Sequence, residues 1–83
     1  MAHYFLHLRD HTDELLDPDG LELANMGAVK KAVLEGARDV IASDIKEEGV
    51  MDLRYRIEAE NDAGQVVHCL TFKSAVHVIP EAA

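Results

Sequence analysis

The sequence predicts an α+β fold: an antiparallel β-sheet of three to four strands with one long helix packed on one face. Apolar and polar residues alternate over residues 3–9 and 53–60, which is the period of a half-buried strand. Between them, residues 26–48 repeat apolar side chains at the three- and four-residue steps of an amphipathic helix. With a short strand before the helix and a hairpin at the end, the expected order is β-β-α-β-β.

The first strand, over residues 3–9, has two chemically different faces. Tyr4, Leu6 and Leu8 form the apolar face, which we expect to pack against the helix. The opposite face carries imidazoles, one aromatic ring and one guanidinium, contributed by His3, Phe5, His7 and Arg9. We interpret His7 as a semi-polar residue on the less buried face of the sheet.

The segment before the helix is predicted to turn and then add a short edge strand. Residues 10–14 are polar and predict a turn, which leads into the apolar pair Leu15 and Leu16. The sequence Asp17-Pro18-Asp19-Gly20 has proline second and glycine fourth, as a type I turn prefers. Residues 21–23 alternate again and predict the edge strand.

The helix has recognisable signals at both ends. Asn25 is a typical N-cap residue, and Gly49 stands where a left-handed residue would end the helix. Gly36 lies within the apolar stripe, and we expect a close contact between helix and sheet to explain it.

The last part of the chain predicts a hairpin. The strand over residues 53–60 places Arg54 and Arg56 opposite its apolar face, and the turn at residues 61–64 ends in glycine. The facing of the returning strand, residues 65–72, is ambiguous, and the side that carries Leu70 and Phe72 is favoured for the core. Residues 75–79 predict a short final segment before Pro80.

Composition limits the classes of protein to which the chain can belong. Eighty-three residues are enough for one domain, predicted over residues 1–83. A net charge of −8 disfavours nucleic acid and anionic membranes as partners. Without a signal peptide pattern or an apolar run of membrane-spanning length, the expected location is the cytoplasm. Cys69 is the single cysteine, so no intrachain disulfide is expected.

The order and spacing of several motifs resemble those of a bacterial family catalogued as domain of unknown function 6894. The matching segments are residues 4–10, 17–23, 56–58, 62–66 and 72–76. His68 and Thr71 depart from the pattern, where an aliphatic residue and a proline are expected. The resemblance implies a soluble bacterial α+β domain and brings no catalytic residues with it.

No pattern in the chain predicts catalysis, a cofactor or a metal site. His3, His7 and His11 are four residues apart, which on a strand separates successive side chains by about 13 Å, too far to share an ion within one chain. A metal held between subunits by His3, His7 and acidic-loop carboxylates stays a third, weaker alternative. The acidic segment from Asp13 to Glu22 lacks the ligand positions of a calcium loop. Cys69 and its neighbour His68 point to opposite faces of a strand, so we expect no nucleophile–base pair.

The leading hypothesis is a non-catalytic interaction module that forms a homodimer or meets an unknown protein partner. It would use the uncovered sheet face or a strand edge, burying Phe5, Val67 and their neighbours. The candidate partner face consists of His3, Phe5, His7, Arg9, Arg54 and Arg56. The alternative is a small regulatory domain that binds nucleic acid or an anionic ligand through Arg9, Arg54 and Arg56.

Overall fold

Five antiparallel strands and two helices form the protein over residues 1–82, the part of the chain that the structure, a computed structural model, describes. The elements are β1 (Ala2–Arg9), β2 (Glu14–Leu15), β3 (Leu21–Leu23), α1 (Met26–Glu48), β4 (Arg56–Glu60), β5 (Val66–Thr71) and α2 (Phe72–Ala75). The predicted α+β class and its β-β-α-β-β order are confirmed. Ala83, which the predicted domain includes, lies outside the described residues.

Strand β1 is central in the sheet. One edge of β1 pairs with β4, with Leu8 opposite Ile57. The other edge pairs with β3 near its start and with β2 near its end, where Leu8 lies opposite Leu15. This edge is therefore split into two short strands, and Glu14 belongs to β2 instead of the predicted turn.

The predicted signals at both ends of α1 are confirmed. The side chain of Asn25 accepts a hydrogen bond from the N–H of Ala28, and Gly49 adopts a left-handed φ of 67°. The apolar stripe of the helix packs on the sheet and makes the core with four later residues. These buried residues are Val29, Val33, Ala37, Ile41, Ile57, Ala59, Phe72 and Ala75.

Gly36 makes a looser contact than the sequence suggested. A Cβ atom added there would lie 3.5 Å from Cδ1 of Ile57, which is an ordinary van der Waals distance. The sheet therefore leaves room for a methyl group at this position, and close packing alone does not require glycine.

Strand β4 begins at Arg56, three residues later than predicted. The side chain of Asp52 accepts a hydrogen bond from the N–H of Arg54 at 3.1 Å, so this backbone group turns toward the loop. Arg54 therefore precedes the strand, and the prediction that β4 carries it was wrong. Tyr55 still packs against the core.

A β-bulge decides the facing of β5. His68 pairs with Ala59 while Val66 pairs with Glu60, so Val67 is an extra residue in the strand. Beyond the bulge, Leu70 and Phe72 face the core as favoured. Before it, the alternation is inverted: Val66 is exposed and Val67 packs against the core, so placing Val67 on the uncovered face was wrong.

The chain turns into the helix α2 directly after β5, at Phe72, which was predicted to end the returning strand. Thr71 N-caps α2, its hydroxyl accepting a hydrogen bond from the N–H of Ser74 at 3.3 Å. Phe72 and Ala75 then enter the core from this single turn. Residues 76–82 form no helix or strand.

Candidate interaction surfaces

The loop of residues 16–20 interrupts the sheet edge, and polar contacts hold it to β1. The N–H of Asp17 donates to Nδ1 of His7 at 3.0 Å, and Oδ2 of Asp17 accepts from the N–H of Leu6 at 3.2 Å. Asp17 thus satisfies a strand N–H that would otherwise lack a partner between β2 and β3.

The second carboxylate oxygen of Asp17 organises the turn itself. Oδ1 accepts from the N–H groups of Asp19 and Gly20 at 3.2 and 3.0 Å. Partial burial opposes ionisation of Asp17, but the bonds from Gly20, Leu6 and Asp19 outweigh it and lower its pKa. Gly20 has a φ of 68°, and a Cβ there would lie 2.6 Å from the carbonyl oxygen of Tyr4.

His3 holds the far end of the same loop. Its Nδ1 lies 2.8 Å from Oε1 of Glu22, and its Nε2 lies 2.7 Å from the carbonyl oxygen of Asp19. Both ring nitrogens face acceptors, so the doubly protonated imidazolium fits this site best. The hydrogen bonds to Glu22 and then to Asp19 raise the pKa of His3.

His7 is nearly buried, although it lies on the sheet face that α1 leaves uncovered. His7 thus lies on the predicted face, yet the residue itself is only 8% exposed. Because Nδ1 accepts from Asp17, the ring proton belongs on Nε2, which lies 3.6 Å from Oε1 of Glu60. Phe5 stacks on the ring at a centroid distance of 6.2 Å.

Three carboxylates from two strands, β2 and β4, surround Arg9. Nε donates to Glu14 at 3.1 Å, while Nη1 donates to Glu58 and, at 3.2 Å, to Glu60. These bonds raise the pKa of Arg9, and the bond from Arg9 is the main cause of the lowered pKa of Glu58. Arg56 shares Glu58 through its Nε at 3.2 Å. The uncovered face at this end is an ion-pair lattice with more negative than positive charge.

The structure brings together five of the six candidate partner-face residues. Cross-strand pairing puts Arg56 beside Arg9, on the face that also carries His3, Phe5 and His7. Arg54 lies apart, and its guanidinium pairs with Asp52, which lowers the pKa of that carboxyl to about 2. Carboxylates already neutralise the guanidinium groups of Arg9, Arg54 and Arg56. The charge of this face therefore does not support binding of an anion or a nucleic acid, which stays a prediction.

The outer edge of β5 has no strand beside it within residues 1–82. The N–H of Phe72 donates to the carbonyl of Tyr55, so this pair bonds across to β4. The N–H and C=O groups of an antiparallel strand point to alternate sides at successive residues, so residues two apart point the same way. The backbone groups of Leu70 therefore point toward β4, like those of Phe72. The N–H and C=O of Cys69 therefore point outward, where they can join another strand.

Cys69 and Ser74 are the nucleophilic side chains in this part of the chain, and neither has the adjacent base that a catalytic nucleophile requires. Cys69 is exposed and pairs with Glu58, whereas His68 pairs with Ala59 on the helix-covered face. The hydroxyl of Ser74 accepts a hydrogen bond from Thr71 at 3.0 Å, within the start of α2. Sequence reasoning missed this cap, although threonine three residues before serine was a visible signal.

Residues 1–82 lack both a metal cluster and a membrane-spanning helix. No three His, Cys, Asp or Glu side chains in that range are arranged to hold a metal ion. No helix in the same range combines the length and apolar character needed to cross a membrane.

Fold and surface together define a small α+β domain whose helix covers one sheet face and whose other face is an ion-pair lattice. The chain belongs to the family described as domain of unknown function (DUF6894), whose model matches residues 3–73. The match runs from His3 in β1 to Lys73 in α2 and confirms the resemblance seen in the motifs. Comparison with curated proteins gives no match, and comparison with solved structures gives none either.

Proposed function

We propose that this protein is a non-catalytic interaction module of the bacterial cytoplasm that forms a homodimer through the outer edges of β5. In this dimer, two copies of β5 pair antiparallel about a two-fold axis, and the sheets join into one. The outward backbone groups of Cys69 carry the proposal, because an edge with free N–H and C=O groups is a template for another strand.

Charge favours this edge over the opposite one. Residues 66–72 contain no Asp, Glu, Lys or Arg, so two copies of β5 can approach without electrostatic repulsion. The opposite edge lies in residues 10–22, which hold six carboxylates and no Lys or Arg. Two such edges would repel each other in a protein with a net charge of −8.

The uncovered sheet face is the weaker choice for self-association. Its apolar ring, Phe5, already contacts His3 and His7 at centroid distances of 4.9 and 6.2 Å. Around Arg9, the carboxylates of Glu58 and Glu60 would meet their own copies across a two-fold axis. Desolvating such a lattice costs more than its apolar contacts return.

The non-catalytic part of the proposal is supported by the separation of Cys69 from His68, since a thiol needs an adjacent base to act as a nucleophile at neutral pH. An exposed free thiol is typical of a reducing compartment, which supports a cytoplasmic location.

The test is sedimentation velocity over a concentration series, in the presence of a reductant, for the wild type and two lysine variants. Cys69→Lys places like charges beside each other at the proposed axis and should give a monomer. Leu15→Lys makes the same charge change at the opposite edge, on a side chain that is 69% exposed, and should leave the dimer intact. A wild type that stays monomeric overturns self-association; dissociation by Leu15→Lys alone overturns the β5 edge.

Oxidation offers a second readout of the geometry. A hydrogen-bonded antiparallel pair holds its Cα atoms about 5.5 Å apart, within the roughly 4.4–6.8 Å range of disulfides. Mild oxidation of the wild type should therefore yield a covalent dimer through Cys69 at concentrations where the reduced dimer forms. A dimer that resists cross-linking contradicts the pairing of Cys69 with its own copy.

A further inference from the structure

An apolar groove lies between α1 and the split edge of the sheet, on the face that α1 only partly covers. The groove has a volume of about 370 Å³. Its lining is aliphatic apart from one carboxylate and consists of Leu6, Leu8, Leu15, Leu16, Asp17, Pro18, Gly36, Val40 and Ile57. Leu15 and Leu16 are 69% and 49% exposed, so apolar surface here remains in contact with water.

The groove exists because strand register and helix composition both leave space. Leu15 pairs with Leu8, which turns its side chain toward the helix side of the sheet. On α1, Gly36 and Val40 face this side, and Gly36 contributes no side chain to fill it. A second helix can therefore approach α1 closely, because small residues permit short interaxial distances.

Acidic side chains flank this apolar surface. The helical period places Asp39 and Glu47 on the same side of α1 as Gly36 and Val40. On the sheet side, Asp17 lines the groove itself, and Asp19 follows in the same loop. Two of the four basic residues of α1 have partners elsewhere: Lys31 pairs with Glu35, and Arg38 donates to the carbonyl of Ala75.

We propose that this groove binds a basic amphipathic helix of another protein. Leucine-like anchors on one face of that helix would cover Leu15, Leu16 and Val40, as in other helix-in-groove complexes. Lysine or arginine on its flanks would meet Asp39 and Glu47 of α1 on one side and the acidic loop of residues 16–20 on the other. A second copy of this chain fits less well, because it would bring acidic flanks against acidic flanks.

The groove and the proposed dimer edge are separate. Leu15 lies on β2 at one end of the strand order, and β5 lies at the other end. A dimer would leave both grooves free, and a monomer would still have one, so the two proposals stand or fall independently.

The test measures fluorescence anisotropy of labelled synthetic peptides of about 18 residues, long enough for five helical turns. One peptide arranges Leu and Lys amphipathically, one replaces Lys by Glu, and one scrambles the Leu/Lys order. The Kd of the full-length protein for the amphipathic basic peptide should be at least about tenfold lower than its Kd for either control peptide. Equal binding of the ordered and scrambled basic peptides overturns the proposal, because charge alone then explains it.

Two matched variants locate the site. Leu16→Glu adds a carboxylate inside the groove, whereas Ile45→Glu adds one on the opposite side of α1, at a residue that is 45% exposed. Both variants raise the negative charge equally, so nonspecific attraction to a basic peptide is the same. We expect Leu16→Glu to weaken binding about tenfold and Ile45→Glu to leave it near the wild-type value. If both variants bind the peptide like the wild type, the peptide binds outside the groove and the proposal is wrong. If Leu16→Glu alone dissociates the protein dimer, a second copy of this chain occupies the groove in place of the proposed helix.

Discussion

The backbone N–H of Asp17 donates a 3.0 Å hydrogen bond to Nδ1 of His7, joining the loop of residues 16–20 to the central strand. The same loop receives a second contact from His3, which bonds the carbonyl of Asp19. Two of the candidate partner residues therefore stabilise the fold. Their imidazoles bond the loop to β1 at the point where the split edge has no strand residues to do so.

Replacing His7 tests that structural role. His7→Leu keeps an apolar side chain in the nearly buried site but leaves the N–H of Asp17 without its acceptor. An unsatisfied buried donor costs about 1–3 kcal/mol, so the free energy of unfolding in urea should fall by that amount. His11→Leu, at an exposed residue, is the control and should change it little. Equal stability of the two variants would show that water replaces the imidazole without cost.

Gly20 and Gly64 provide a matched pair for backbone strain. Both have positive φ angles, 68° and 77°. An alanine Cβ at position 20 would lie 2.5 Å from Nε2 of His3, whereas position 64 has no atom within 4 Å. Gly64→Ala should cost about 1–2 kcal/mol from the left-handed backbone alone.

Gly20→Ala should cost clearly more than Gly64→Ala, because His3 and the Tyr4 carbonyl must also move. Urea denaturation of both variants measures the difference, and amide spectra report whether the loop stays attached to β1. Equal losses would mean that the clash relaxes freely and that the loop is not tightly held.

The pKa of His3 predicts a pH dependence of stability. Bonding to Glu22 and Asp19 raises its pKa above the ordinary 6.5 in the folded state. Its contribution is therefore full below pH 6.5 and is lost as pH rises through the raised folded value. The stability difference between wild type and His3→Gln should shrink between about pH 6 and pH 8. A His3→Gln difference that does not vary with pH contradicts the ion pair with Glu22.

The contacts of Arg9 predict how the free energy of unfolding changes as the pH falls. The bond from Arg9 lowers the pKa of Glu58, so this carboxylate stabilises the fold above its ordinary pKa and loses that effect as pH falls through the lowered value. In Arg9→Met, Glu14, Glu58 and Glu60 lose their shared cation. The variant should be destabilised at pH 7 and should recover part of that loss at about pH 5, as carboxylates gain protons.

Arg54→Met is the control for this pH response. It breaks an exposed pair with Asp52, and the urea midpoint should stay near the wild-type value at pH 7 because water screens such pairs. A loss in Arg9→Met that is constant from pH 7 to pH 5 would assign the role of Arg9 to packing of its aliphatic stem.

The sequence alone was sufficient to predict features that depend on residues close together in the chain. The alternation of Tyr4, Leu6 and Leu8 predicted β1 and its core face, and the Asn25 and Gly49 signals predicted both ends of α1. Strand and helix periods compare residues two to four positions apart, so they are visible in one sequence.

Only the tertiary structure decided which groups meet across long separations in the chain. The extra residue Val67 inverts the facing before it, because its position depends on the register against β4. Arg9 and Glu58 are 49 residues apart, and their pairing turns a predicted cationic face into a neutralised lattice. A local pattern specifies the side of a strand that a residue occupies only while the alternation is unbroken, whereas a bulge and the charge environment of a side chain both depend on the strand placed beside it.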